Sequence, residues 1–243
     1  MDFITGEIIA VDKPLGWTSF DAVKRLRGAI QKRLRVKKFK VGHAGTLDPL
    51  ATGVLIVCTG KATRNIENLQ SGVKEYVATV ELGATTPSYD LETEIDEVYP
   101  TEHITRELVE QALQSFVGEI LQVPPVFSAV KVEGKRAYKY ARTGKDLELK
   151  AKPVKIYEIE LLEIEENRVT FRVVCGKGTY IRALARDLGH ALKSGAHLKE
   201  LKRTKVGEIS LKECLTIDEA IKKIAETELH FPDNYKLPAG NDR

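Results

Sequence analysis

The run GVLIVCTG, residues 53–60, constrains the fold more than any other stretch. It is short, contiguous in apolar residues and rich in Val and Ile, and it reads as a buried strand. Around it the chain mixes strands and helices. EIIAVDKP (7–14) reads as a strand ending at Pro14, and a turn through Gly16 leads to a helix in SFDAVKRLRGAI. There Phe20, Val23, Leu26 and Ile30 recur near helical spacing, and Thr18 or Ser19 can supply the N-cap. VKEYVATVELG (73–83) reads as a strand whose alternation slips near Tyr76 and Val77. TRELVEQALQSFVG (105–118) predicts an amphipathic helix with Leu108, Val109, Ala112, Leu113, Phe116 and Val117 inward and Gly118 just past its end.

Further on, QVPPVFSAVKVEGKRAYKYAR (122–142) has no clean period and predicts a strand followed by an exposed basic insertion. Strands are expected in VKIYEIELLEI (154–164) and VTFRVVC (169–175), with a turn at Glu166-Asn167. TYIRALARDLGHALK (179–193) reads as a helix with Ile181, Leu184, Leu188 and Leu192 on its apolar face. A late helix, TIDEAIKKIAE (216–226), opens with a capping box from Thr216 to Glu219, and the tail after Pro232 reads as frayed. The absence of strict strand–helix alternation favours α+β over a doubly wound sheet.

Length and charge narrow the function classes. A chain of 243 residues with 42% hydrophobic content has ample material for a core. No apolar run approaches the roughly 20 residues of a membrane helix. The acidic start MDFITGEIIAVDKP lacks a signal-peptide pattern, so a cytoplasmic protein is expected. Cys58, Cys175 and Cys214 are far apart, which suggests neither a disulfide framework nor a zinc ribbon. The net charge is only +3, but the cations are clustered. From Lys24 to Lys40 nine basic residues occur with no acid among them, and a second basic stretch at 131–155 has Tyr138 and Tyr140 interleaved. Two such runs resemble a polyanion footprint, although either alone fits a solvated face.

The familiar phosphate and metal motifs fail. GVLIVCTGKAT has glycines too far apart for a Walker loop, and Ala62 stands where a magnesium-binding hydroxyl belongs. GKGTYI places Ile181 at the third glycine of a dinucleotide loop. The five histidines have no paired ligand spacing, so neither a metal nor a cofactor is expected. What remains is VGHAGTLDPLATGV (41–54), rich in small residues and holding one carboxylate, Asp48, before Pro49. That residue is either turn punctuation or a working acid.

GHAGTLDPLATGVL resembles the signature of TruB-type pseudouridine synthases, which isomerise a uridine in the T-loop of tRNA at position 55. DKPLGWTSFDAV, KEYVATVELGATTPSYD, QVPPVFSAVKVEGKRAYKYAR, CGKGTYIRALARDLG and AHLKELKRTKVG resemble further motifs of that family, in order, over nearly residues 7 to 210. The resemblance implies a catalytic domain over 1–230 with a mixed, largely antiparallel central sheet flanked by helices. It also implies an RNA-gripping insertion at about 124–152. Two departures stand out. LETE follows Asp90 where the family often has a glycine. Only residues 208–243 follow RTKVG, too few for the C-terminal RNA-binding PUA domain common in bacterial members, so a short tail without that domain is expected over 231–243.

By the same resemblance Asp48 matches the catalytic aspartate, acting as nucleophile or as stabiliser of developing positive charge. Arg182 matches the arginine that keeps this aspartate ionised; by its place in the chain alone it would read as a helix-surface residue. Tyr76 matches the tyrosine that stacks on the flipped base and is a candidate acceptor of the C5 proton. Tyr180 and Leu201 match the lining of the base pocket, and His43 the residue that fills the space the uridine leaves. Lys135, Arg136 and Lys139 are expected to hold RNA phosphates, whereas Lys13 and Lys61 are read as local helpers without a catalytic role. The expected partner is tRNA, engaged by a monomer. The alternative is a non-catalytic tRNA-folding chaperone that keeps the same fold.

Overall fold

The computed structural model describes residues 2–128, 131–132, 135–137 and 149–229. The chain groups into two compact units, one of residues 1–72 and 202–243 and the other of residues 73–201.

The first unit begins with β1 (Ile8–Lys13), α1 (Ser19–Leu34), β2 (Val41–Ala44), β3 (Ala51–Thr59) and, after a 3-10 turn, α2 (Ile66–Ser71). β3 pairs antiparallel with β1 through Lys13↔Gly53 to Ile8↔Cys58, and with β2 through Ala44↔Ile56 to Val41↔Thr59. The uninterrupted apolar run of β3 has a direct cause. Leu55 and Val57 enter one core with Val11, Leu26, Ile30 and Ile224, while Val54, Ile56 and Cys58 enter another with Ala44 and Val206. α1 is four residues longer than its sequence pattern suggests, because Leu34 extends the buried stripe of Leu26 and Ile30. Phe20 does not belong to that stripe. It is exposed beneath the Arg27 guanidinium, and Ser19 takes the inward place.

The second unit contains β4 (Lys74–Leu82), β5 (Ala84–Thr85), β6 (Glu97–Val98), α3 (Arg106–Ser115) and β7 (Gly118–Gln122). A short hairpin, β8 (Lys131–Val132) with β9 (Lys135–Arg136), is followed by β10 (Lys152–Glu165), β11 (Arg168–Cys175) and α4 (Ile181–Ala191). Strands run β4-β11-β10-β7 in antiparallel pairs, with α3 packed on β10 and α4 on β4. The alternation of β4 does not slip. Tyr76 is buried opposite Val173, and every second residue from Lys74 to Leu82 faces inward. α3 stops at Ser115, so Val117 is off its apolar stripe and exposed, as is Leu108, and Gly118 opens β7.

β12 (Ala196–Val206) gives its first residues to the second unit and its last to the first. Its continuation supplies β13 (Ile209–Ser210) and α5 (Ile217–Glu226), which packs along α1. The expected capping box is present, Thr216 accepting from the Glu219 amide while the Glu219 carboxylate accepts from the Thr216 amide. Two parallel bridges, Val11↔Leu215 and Asp90↔Leu198, add to these antiparallel pairs, and the fold is α+β. The expected tail at 231–243 lies outside the described residues.

Candidate active site

Asp48 sits half-buried in the loop between β2 and β3. Short as it is, that loop is held at many points by other parts of the first unit. The hydroxyl of Ser19, at the start of α1, accepts from Leu47 N–H at 2.8 Å and donates to Leu47 C=O at 3.0 Å. On the other side of Asp48, the Pro49 carbonyl accepts from Gly16 N–H at 2.9 Å and lies 3.5 Å from Lys13 Nζ. Lys13 also donates to the carbonyls of Pro14 and Trp17. Arg203, on β12, reaches the beginning of the loop and the strand after it. Its Nε donates to Val54 O at 2.7 Å, Nη2 to Gly45 O at 3.0 Å and Nη1 to Thr46 O at 3.4 Å.

Lys13 and Arg203 are both buried, at 0% and 1% exposure. Burial lowers the Lys13 ammonium from its ordinary value to about 8, the negative charge of Asp48 opposing that fall and the positive charge of Arg203 adding to it. Lys13 is therefore mostly charged at neutral pH, and it attracts the Asp48 carboxylate in a water-poor setting. Burial, and then the Arg203 charge, push His43 below the usual imidazole range against an opposing hydrogen bond to the Gly45 backbone. The neutral imidazole of His43 is thereby favoured, on the same β2 strand that leads into the loop. The sequence marks Lys13 only as a local helper and does not mark Arg203 as part of a site. Lys13 ends a strand, and Arg203 is one cation in a mixed KELKRTK string. Only the row of carbonyls each one satisfies explains its burial.

The second unit holds Tyr76, Tyr180, Arg182 and Leu201. Arg182 lies in the first turn of α4 at 3% exposure, not on the helix surface. Its Nη1 donates to Ser88 O at 3.2 Å and Nη2 to Phe127 O at 2.9 Å, while Nε lies 3.5 Å from Asp90 Oδ2. Asp90 is equally buried, accepts from Glu92 N–H and is bridged to Leu198. A buried arginine needs such a partner, and Asp90 is the functional candidate that sequence reasoning passed over. Tyr180 is half-buried and extended just before α4, its peptide groups bonded both ways to the buried Gln122 amide. Tyr76 is 8% exposed on β4, and Leu201 is half-buried on β12. Lys139 lies outside the described residues, as do the side chains of Lys135 and Arg136. Among the described residues no cluster of His, Cys, Asp and Glu has the make-up of a metal site, and no helix is long and apolar enough to cross a membrane.

A carboxylate held between two anchored peptides and beside buried cations suits attack on, or stabilisation of, an electron-poor carbon. Comparison with known proteins gives the family. Residues 31–181 match the TruB family pseudouridylate synthase N-terminal domain, and residues 182–231 match the tRNA pseudouridylate synthase B C-terminal domain. The chain is 65% identical over 218 residues to tRNA pseudouridine synthase B of Phocaeicola vulgatus, covering 90% of this chain and 93% of that protein. It is 50% identical over 217 residues to the protein of the same name from Flavobacterium johnsoniae, covering 89% and 95%. Among solved structures it is similar to a chain of an H/ACA RNP bound to a substrate RNA containing 2'-deoxyuridine, with TM-score 0.64 and 32% identity over 90% of this chain and 54% of that one. It thus spans about half the length of that solved relative. The extent of these matches places the chain in the TruB family of pseudouridylate synthases.

Proposed function

We propose that this protein isomerises uridine to pseudouridine in the T-loop of tRNA. The observation that carries the reading is the Asp48 loop, a carboxylate fixed on both sides in a chain of this family. In the reaction the N1–C1' glycosidic bond breaks, the base turns, and C5 bonds to C1'. The proton leaves C5 and N1 is protonated, so the uracil is neither oxidised nor reduced. Asp48 acts on the sugar or base as nucleophile or as counter-charge to the cationic transition state. Tyr76 stacks on the uracil and is a candidate acceptor of the C5 proton, while Tyr180 and Leu201 line its pocket. Arg182 keeps the aspartate ionised, and His43 takes the space left by the flipped nucleotide. The protein works as a cytoplasmic monomer.

The test is direct. Purified protein is expected to convert the T-loop uridine of a tRNA transcript in EDTA, read by mapping pseudouridine. Failure under chelation, with the RNA folded, would show that a metal is required. Tight binding without conversion under any condition would favour the chaperone alternative.

The basic insertion carries a second expectation. Changing Lys135, Arg136 and Lys139 together to Ala should weaken tRNA binding. It should also flatten the salt dependence by roughly 0.7–0.9 in log–log slope for each phosphate left without its cation. An unaltered slope would mean that these cations face solvent only.

A further inference from the structure

The Asp48 turn is held on one side by the hydroxyl of Ser19. Ser19 is the first residue of α1 and is 2% exposed. Its hydroxyl makes two bonds, both to Leu47: it accepts from the N–H at 2.8 Å and donates to the C=O at 3.0 Å. A serine hydroxyl has one proton to give, so this pairing uses its donor and one acceptor site on a single neighbour. The Leu47 carbonyl belongs to the peptide bond that enters Asp48. Fixing that oxygen fixes the peptide plane from which the Asp48 side chain departs.

Capping does not account for Ser19. The preceding residue, Thr18, caps α1: its Oγ1 accepts from Asp21 N–H at 3.0 Å, and the Asp21 carboxylate accepts from Thr18 N–H at 3.0 Å. α1 is therefore properly started without the Ser19 hydroxyl. Core packing does not account for it either, since every other buried position of α1 is apolar: Ala22, Val23, Leu26, Ile30 and Leu34. A buried hydroxyl here is explained by the two peptide groups of Leu47, itself only 3% exposed and cut off from water.

We propose that Ser19 is a positioning residue for catalysis, its hydroxyl holding the Leu47–Asp48 peptide so that the Asp48 carboxylate is presented in the reactive geometry. The proposal rests on the reading of Asp48 as the working carboxylate. Ser19 touches neither RNA nor reacting atoms in this scheme. Its effect belongs in the chemical step and not in tRNA affinity, which phosphate contacts dominate.

The experiment compares Ser19→Ala, Ser19→Cys and Thr18→Ala with wild type in single-turnover conversion of a tRNA transcript. Rates are normalised to the fraction of protein that binds tRNA, alongside the tRNA Kd and Tm. A misplacement of about 1 Å costs about 100-fold in rate, so Ser19→Ala is expected to slow conversion about 10- to 100-fold with Kd within about twofold. Ser19→Cys, which keeps nearly the same volume but bonds weakly, should be slowed similarly. Thr18→Ala should lower Tm by loss of the cap while its normalised rate stays at the wild-type value. If Ser19→Ala does not fold, Ser19→Cys decides. A normalised rate within twofold of wild type in the folded Ser19 variant overturns the proposal, as does an equal slowing in Thr18→Ala. Asp48→Asn in the same assay separates the two readings. If it retains activity, the role of Asp48 fails and that of Ser19 falls with it; if it is inactive while the Ser19 variants are normal, only the positioning role is lost.

Discussion

Asp48→Asn is expected to abolish pseudouridine formation, by on the order of 10⁴-fold or more, while tRNA binding stays within about twofold of wild type. Asn keeps the size and shape of the side chain. Several anchors of the loop are backbone groups of its neighbours: Leu47 on Ser19, Pro49 on Gly16, and Gly45 and Thr46 on Arg203. These anchors do not need the carboxylate, so they should hold the loop in the variant. What disappears is the negative charge beside Lys13 and the nucleophilic oxygen. A pseudouridine assay and a binding isotherm on the same preparation check this. Conversion at a rate comparable to wild type would remove Asp48 from the mechanism, whatever the variant's affinity.

The parts of this picture that depend on local patterning were legible in the sequence. α1 and α5 announce themselves by apolar spacing and by hydroxyl–carboxylate caps, and β3 by an apolar run that the two cores on its faces explain. β12 carries no such signal. Its 11 residues include Lys199, Glu200, Lys202, Arg203 and Lys205, and it is a strand because of the strands beside it. The site divides in the same way. Asp48 is visible because it is the lone acid in a run of small residues. The burial of Arg182 is not, because it is set by Ser88, Asp90 and Phe127, all far away in sequence. Arg203 was missed, and Lys13 was read only as a local helper, for the same reason: the carbonyls that hold them become neighbours only in the folded chain.

Gly53→Ala is expected to unfold the first unit or destabilise it by more than about 4 kcal/mol. Gly53 has φ +102°, a conformation L side chains rarely adopt, and a Cβ there would lie 2.2 Å from the Arg203 carbonyl oxygen and 2.9 Å from its carbonyl carbon and nitrogen. All three atoms are backbone, so no side-chain rotation relieves the overlap. Relief would require β3 and the end of β12 to separate, which would also withdraw the Arg203 side chain from Val54, Gly45 and Thr46. Urea unfolding should show a collapsed midpoint or no cooperative transition. A midpoint equal to that of wild type would contradict the close approach of these two strands.

The partnership of Arg203 with the Asp48 loop also sets an order of events during synthesis. The carbonyls of Gly45 and Val54 leave the ribosome early, but the guanidinium that satisfies them is 158 and 149 residues later in the chain. All of residues 73–201 must be made in between. Until then the loop lacks its anchor and Gly53 lacks the strand against which it fits, however complete β1, α1 and β3 already are. Such long sequence separation makes this a late and slow contact to form. A nascent chain stalled before Arg203 therefore displays Asp48 on an unfinished loop, and that loop is completed only when the end of β12 has been made.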